Sequence, residues 1–84
     1  MKEKVNVMRK NTLNELKKGD KAIVKSLEIE GSMKRRLLDI GLIKDSLVEC
    51  VLESPLKDPK AYWIRGALIA IRDSDAEKIH IEGV

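Results

Sequence analysis

The sequence predicts a small, mainly β domain: a barrel of about five short strands, with a short helix inserted between the first two. Three observations lead to this prediction. Five segments rich in β-branched and aliphatic residues are separated by turn residues. Only one longer segment has the apolar periodicity of a helix. The chain has 84 residues, which is the length of a single domain.

The N-terminal segment carries the whole charge excess of the chain. Residues 1–10 have a net charge of +3, whereas residues 11–84 hold equal numbers of basic and acidic side chains. We expect residues 1–10 to be a flexible basic tail, because chain ends are often poorly ordered, and residues 11–84 to form the domain. A basic groove for nucleic-acid phosphates is not indicated, because the domain itself has no net positive charge.

A short helical turn and the first strand are predicted next. Thr12 and Glu15 have the spacing of a capping box, and turn residues follow at positions 17–20. Residues 21–29 are rich in β-branched and aliphatic side chains, which favours a strand. The apolar side chains change faces near residues 25–26, and we therefore expect a β-bulge there.

The longest helix is predicted in residues 31–41. Met33, Leu37 and Ile40 fall at positions i, i+4 and i+7, so they form one apolar stripe that can cover an end of the barrel. Gly41 follows where a C′ residue ends a helix.

The outer side of this helix combines cations with a leucine. Leu38 lies about 100° from Leu37 around the helix, beside Lys34, Arg35 and Asp39. Two interpretations remain open. In the structural one, Arg35 pairs weakly with Asp39 and Leu38 is covered by a loop. In the functional one, these side chains form the edge of a partner-binding surface.

The remaining strands are predicted from alternation. In residues 46–54, we expect Val48, Cys50 and Leu52 to share the inward face. The last three strands should turn these residues inward: Tyr62 and Ile64, Ile69 and Ile71, Ile79 and Ile81. Trp63 should face outward, and Gly66 should form the turn between two of the strands.

The sequence indicates neither an enzyme nor a metal or cofactor site. Cys50 is expected to point inward and His80 outward, so they cannot form a nucleophile–base pair or converge on a metal. Residues 73–77 resemble the start of a calcium loop, but Lys78 takes the position that requires glycine. We expect one of residues 73–75 to cap a short helical turn instead.

Cysteine content and hydropathy indicate the cellular compartment in which we expect the protein. One cysteine excludes an internal disulfide. No apolar run reaches the ~20 residues that span a bilayer, and the first residues lack the apolar core of a signal peptide. We therefore expect a cytoplasmic location without membrane insertion.

Three stretches of the chain resemble one protein family. The stretches LKKGDKAIVKSLE, GSMKRRLLDIGLIKDSLVE and DPKAYWIRGALIAIRDSDAEKIHIE, from Leu13 to Glu82, are similar to the bacterial ferrous iron transport protein A (FeoA) family. The most specific parts are RRLLDIGL and IRGALIAIR. The module is also similar to the C-terminal domain of iron-dependent repressors. The resemblance implies an SH3-like barrel and an accessory role toward the membrane ferrous-iron transporter FeoB, as a protein-binding module.

We therefore predict a partner-binding surface on the outer helix flank, extended by two further apolar residues. Its residues are Lys34, Arg35, Leu38, Asp39, Leu42 and Trp63. No nucleic acid is expected as a partner. The alternatives are a small SH3-like barrel that binds nucleic acid and a metal-regulator-type SH3-like domain acting as an interaction module.

Overall fold

Five antiparallel strands form the sheet of this domain. In the computed structural model, which describes residues 11–83, the strands are β1 (Lys21–Leu27), β2 (Leu47–Glu53), β3 (Lys60–Ile64), β4 (Ala67–Ile71) and β5 (Ile79–Gly83). They pair in the order β4-β3-β2-β1-β5. A nine-residue helix, α1 (Ser32–Ile40), connects β1 to β2. The mainly β fold with one helix between the first two strands is therefore confirmed.

Two short helical turns complete the fold. A 3₁₀ turn, Leu13–Glu15, precedes β1, and α2 (Asp73–Ala76) precedes β5. The predicted capping box is present, with the Glu15 carboxylate accepting a hydrogen bond from the Thr12 amide at 3.0 Å. The expected basic tail, residues 1–10, lies outside the described residues. Among those described, no helix is long and apolar enough to cross a membrane.

The core lies between the inward side of the sheet, α1 and the 3₁₀ turn. Leu37 of α1 is fully buried, and Met33 and Ile40 pack against the core from its margin, as the predicted stripe requires. The inward strand residues predicted for β3, β4 and β5 are buried in this core: Tyr62, Ile64, Ile69, Ile71, Ile79 and Ile81.

Two β-bulges shape the sheet, and only the first was predicted. The pairing of β1 with β5 shifts between Val24 and Ser26, as the change of apolar face indicates. The pairing of β2 with β3 shifts between Cys50 and Leu52. This second bulge reverses the alternation, so Leu52 is 52% exposed and the prediction that it points inward was wrong.

A lysine fixes the 3₁₀ turn on the sheet. The Lys60 ammonium group, at the start of β3, donates hydrogen bonds to the carbonyls of Asn14 at 2.7 Å and Leu16 at 2.8 Å. These are the carbonyls that the end of a helical turn leaves unpaired. These hydrogen bonds join the 3₁₀ turn to strand β3.

Candidate functional site

Helix α1 begins and ends at glycines, and this sets which side it exposes. Gly31 enters the helix with a φ of 84°, and no side chain caps the first turn. Gly41 ends it with a φ of 108° in the left-handed region, where glycine has no steric penalty. The buried side is fixed by Leu37, which leaves the opposite flank to solvent.

The exposed flank of α1 holds a shallow depression of about 310 Å³. Gly31, Lys34, Arg35, Leu38 and Asp39 line it, so four of the six predicted site residues lie together. Leu38 is 43% exposed, which excludes the interpretation in which a loop covers it. An exposed leucine between charged side chains is suited to anchor a partner.

The charges around Leu38 have no ionic partners within residues 11–83. In that part of the chain, the Lys25 ammonium group pairs with the Glu82 carboxylate at 3.2 Å, between β1 and β5. Arg35 and Asp39 therefore do not form the i, i+4 pair that the structural interpretation needs. The two cations of the depression exceed its single carboxylate, which leaves the flank locally positive.

Leu42 does not belong to this surface, and its prediction as a partner-binding residue was wrong. Its side chain is fully buried. Its amide donates to the Leu37 carbonyl at 2.9 Å, and the Gly41 amide donates to the Leu38 carbonyl at 3.0 Å. This is a Schellman motif, in which the residue after the glycine packs an apolar side chain back onto the helix. The apolar residue directly after Gly41 was the sequence feature that could have revealed it.

Trp63 faces outward as predicted and is 47% exposed. It does not line the depression at Leu38. It lines a second one, of about 380 Å³, together with Leu47, Arg65 and Gly66. The pairing of β3 with β4 sets Leu68 directly opposite Trp63. The outward side of this hairpin is therefore apolar.

Sequence reasoning missed Leu47 and Leu68, which are each about half exposed. Each precedes a buried residue, Val48 and Ile69, so alternation alone assigns it to the outer face. The predicted site did not include these two leucines, because the strands were assigned from their inward residues alone.

Arg65, which lines the second depression, packs against the C-terminal end of α1. Lys34, Leu38 and Gly41 are spaced i, i+4 and i+7, so they follow one another along one face. The Arg65 side chain packs against Gly41 so closely that a Cβ atom on Gly41 would lie 2.8 Å from its Cδ. Arg65 and Gly66 form the β3–β4 turn with φ values of 48° and 87°, as two-residue hairpin turns require.

We call the two depressions together the helix–hairpin surface. Its residues are Gly31, Lys34, Arg35, Leu38, Asp39, Leu47, Trp63, Arg65 and Gly66. It differs from the predicted site in losing Leu42 and in gaining Leu47 and the hairpin turn.

Metal binding and thiol reactivity depend on the histidine, cysteine and acidic side chains of residues 11–83. Residues 11–83 contain no cluster of three or more histidine, cysteine or acidic side chains placed to hold a metal. Cys50 is buried, and burial raises the pKa of its thiol. It therefore remains a protonated thiol at neutral pH, which is a weak nucleophile and metal ligand.

The acidic segment at positions 73–77 contains the short helix α2 (Asp73–Ala76), as predicted, but its cap was assigned to the wrong residues. The N-cap position is Arg72, and no side chain within the turn caps it. Instead the Asp58 carboxylate, from the loop before β3, accepts a hydrogen bond from the Asp73 amide at 2.9 Å. A cap supplied by a distant loop has no local sequence pattern.

Comparisons with known proteins agree on one family. The model of the FeoA domain family matches residues 11–83. An Fe(2+) transport protein A/Fe(2+) transporter FeoB fusion protein of Porphyromonas gingivalis is 34% identical over 70 residues, which are 83% of this chain and 8% of the fusion protein. The chain thus spans a small part of that relative.

Solved structures of the family have the same fold. The solution structure of a FeoA protein from Chlorobium tepidum is 36% identical, with a TM-score of 0.81 over 87% of this chain and 70% of that one. A zinc complex of Stenotrophomonas maltophilia FeoA, described as an SH3 domain protein, is 27% identical, with a TM-score of 0.72 over 83% of this chain and 87% of that one. The expected SH3-like fold is therefore confirmed.

Proposed function

This chain belongs to the FeoA family of Fe(2+) transport proteins, and from this premise we propose that it binds the ferrous-iron transporter FeoB and modulates iron uptake. It acts as an accessory protein on the cytoplasmic side. The contact is made through the helix–hairpin surface. We propose no catalytic role and no resident metal or cofactor.

The observation that carries this proposal is the exposure of Leu38 among charged side chains that form no ion pair within residues 11–83. A leucine that is 43% exposed contributes little to the core of its own domain. Covering it with a partner removes apolar surface from water at about 25 cal/mol per Å². The charged side chains around it can form the polar rim that surrounds the apolar centre of many interfaces.

The fusion protein of Porphyromonas gingivalis supports FeoB as the partner. In that relative, the two transport proteins are parts of one chain. Domains joined by a linker meet at a high effective concentration, so a weak contact between them is sufficient. A surface whose exposed apolar side chains are Leu38, Leu47 and Trp63 fits a contact of this strength.

A charge placed at Leu38 tests the proposal. The substitution Leu38→Glu should abolish binding to FeoB, because a carboxylate would replace the apolar anchor. It should change the free energy of unfolding by no more than about 0.5 kcal/mol, as surface substitutions usually do. Binding is measured by pull-down with FeoB in detergent, and stability by thermal unfolding.

The matched control is Leu56→Glu. Leu56 is 88% exposed, lies in the loop between β2 and β3, and is not among the residues that line the helix–hairpin surface. This variant should bind FeoB as the wild type does. A sharp fall in the melting temperature of Leu38→Glu would assign Leu38 to the core, and unchanged binding would exclude the helix flank as the contact.

A further inference from the structure

The helix–hairpin surface carries more positive than negative charge. Its cations are Lys34, Arg35 and Arg65, and its one carboxylate is Asp39. None of these four side chains forms an ion pair within residues 11–83. Residues 11–84 have no net charge as a whole, so the rest of the domain carries the compensating negative charge and this surplus is local. It is available to a ligand of the opposite sign.

The apolar side chains of the surface are arranged in two places. Leu38 lies in the depression on the helix flank, and Trp63 lies with Leu47 in the depression on the hairpin. Arg65, which also lines the hairpin depression, packs on Gly41 at the end of the helix. A ligand that covers both places therefore needs two apolar groups, with negative charge near each.

We infer that the occupant of this surface is an acidic peptide segment of the partner, with apolar side chains that fill the two depressions. The inference rests on the proposed function and specifies the chemistry of the partner. Carboxylates of the segment would face Lys34, Arg35 and Arg65, and its apolar side chains would contact Leu38 and Trp63.

A second copy of this chain fits the same surface poorly. In a twofold-symmetric contact, a patch faces its own equivalent. Lys34, Arg35 and Arg65 would then approach the same three cations, with only Asp39 from each copy to compensate. Like charges placed opposite one another oppose association.

Nucleic acid also fits the surface less well than an acidic peptide. Binding to a phosphate backbone depends on many cations that track it, and here there are three. Of the exposed apolar side chains on the surface, only Trp63 offers a planar face on which a base could stack.

An array of overlapping peptides that covers the cytoplasmic segments of FeoB from the same organism tests the inference. The full chain should select peptides that combine aspartate or glutamate with large apolar side chains. The strongest peptide is then compared with its own variant in which each acid is replaced by the corresponding amide. We expect the amide variant to bind about tenfold more weakly, because exposed ion pairs contribute modestly and add up.

Two further measurements locate the binding. In ¹H–¹⁵N spectra, the strongest peptide should shift the amides of residues 34–39 and the indole N–H of Trp63. The double variant Lys34→Glu, Arg35→Glu should lose the acidic peptide. The control Lys78→Glu should keep it, because Lys78 is exposed beside β5 and outside the surface.

The inference is overturned if the selected peptides are neutral or basic, if the amide variant binds equally well, or if no peptide binds. It is also overturned if single-stranded RNA or a second copy of the chain, but no peptide, shifts the same amides. A different result would contradict the proposed function itself: intact FeoB would not bind the wild-type protein. If intact FeoB binds without a preference for acidic segments, only this inference fails.

Discussion

Leu38 and Leu42 are four positions apart at the end of one helix, but only Leu42 is buried. Gly41 causes the difference. Its left-handed conformation turns the chain back on itself, so the next side chain enters the core while Leu38 stays outside. A helical wheel continued past Gly41 cannot show this, because the periodicity stops at that residue.

Replacing Gly41 should be costly for two separable reasons. In Gly41→Ala, the backbone would keep a φ of 108°, which is strained for alanine, and the new Cβ would lie 2.8 Å from Cδ of Arg65. We expect a loss of about 1–3 kcal/mol in the free energy of unfolding, measured by urea denaturation. The same substitution in an Arg65→Ala background should cost less, because only the backbone strain remains. An equal loss in both backgrounds would mean that the arginine stem yields without cost.

At the scale of secondary structure elements, alternation and helical periodicity predicted the strands and α1. They also predicted the bulge in β1, because the apolar residues change faces there. They failed at the bulge in β2, since the residues on both sides of it are apolar and an unbroken alternation looks equally reasonable. They also failed for the cap of α2, which comes from Asp58 in another loop.

The candidate site was predicted only in part, because only part of it is formed by residues that are close in the sequence. Lys34, Arg35, Leu38 and Asp39 lie within one helix, and helix geometry alone brings them together. The proximity of Arg65 to Gly41 depends on how the β3–β4 hairpin meets the helix, and no local pattern in the sequence contains that information.

The link between the 3₁₀ turn and the sheet gives a prediction at this scale. Lys60→Met keeps the length of the side chain but removes both hydrogen bonds to the carbonyls of Asn14 and Leu16. We expect a loss of about 1.5–3 kcal/mol in the free energy of unfolding, as for other hydrogen bonds that involve a charged group. Urea denaturation measures it. Lys57→Met, at an exposed loop position, is the control and should leave the stability unchanged.

At the scale of the whole molecule, a small core has to be filled by few side chains. The described residues contain one tyrosine and one tryptophan. Tyr62 is buried and lies opposite Cys50 in the pairing of β2 with β3. Burial raises the pKa of both groups. The core therefore contains two groups that must stay neutral for the fold to persist.

These two groups predict a loss of stability in alkali. Because the pKa of each is higher in the folded state, their contribution is complete below the unfolded values and declines as the pH rises through them. The unfolded values are about 8.5 for cysteine and 10 for tyrosine. The melting temperature should therefore begin to fall above about pH 8.5 and fall more steeply above about pH 10.

The variant Tyr62→Phe separates the two contributions. It should lose the steeper phase and keep the one that starts at the lower pH. A melting temperature that falls identically in the variant and the wild type would show that ionisation of Tyr62 does not contribute.

The stem of Arg65 rests on the bare backbone of Gly41, so one contact already joins the hairpin to the helix in the absence of a partner. Because Gly41 has no side chain, the two halves of the surface lie closer together here than a larger residue would allow. A partner that contacts both halves would find them already close together. We therefore expect most of the conformational entropy lost on association to come from the partner's own segment.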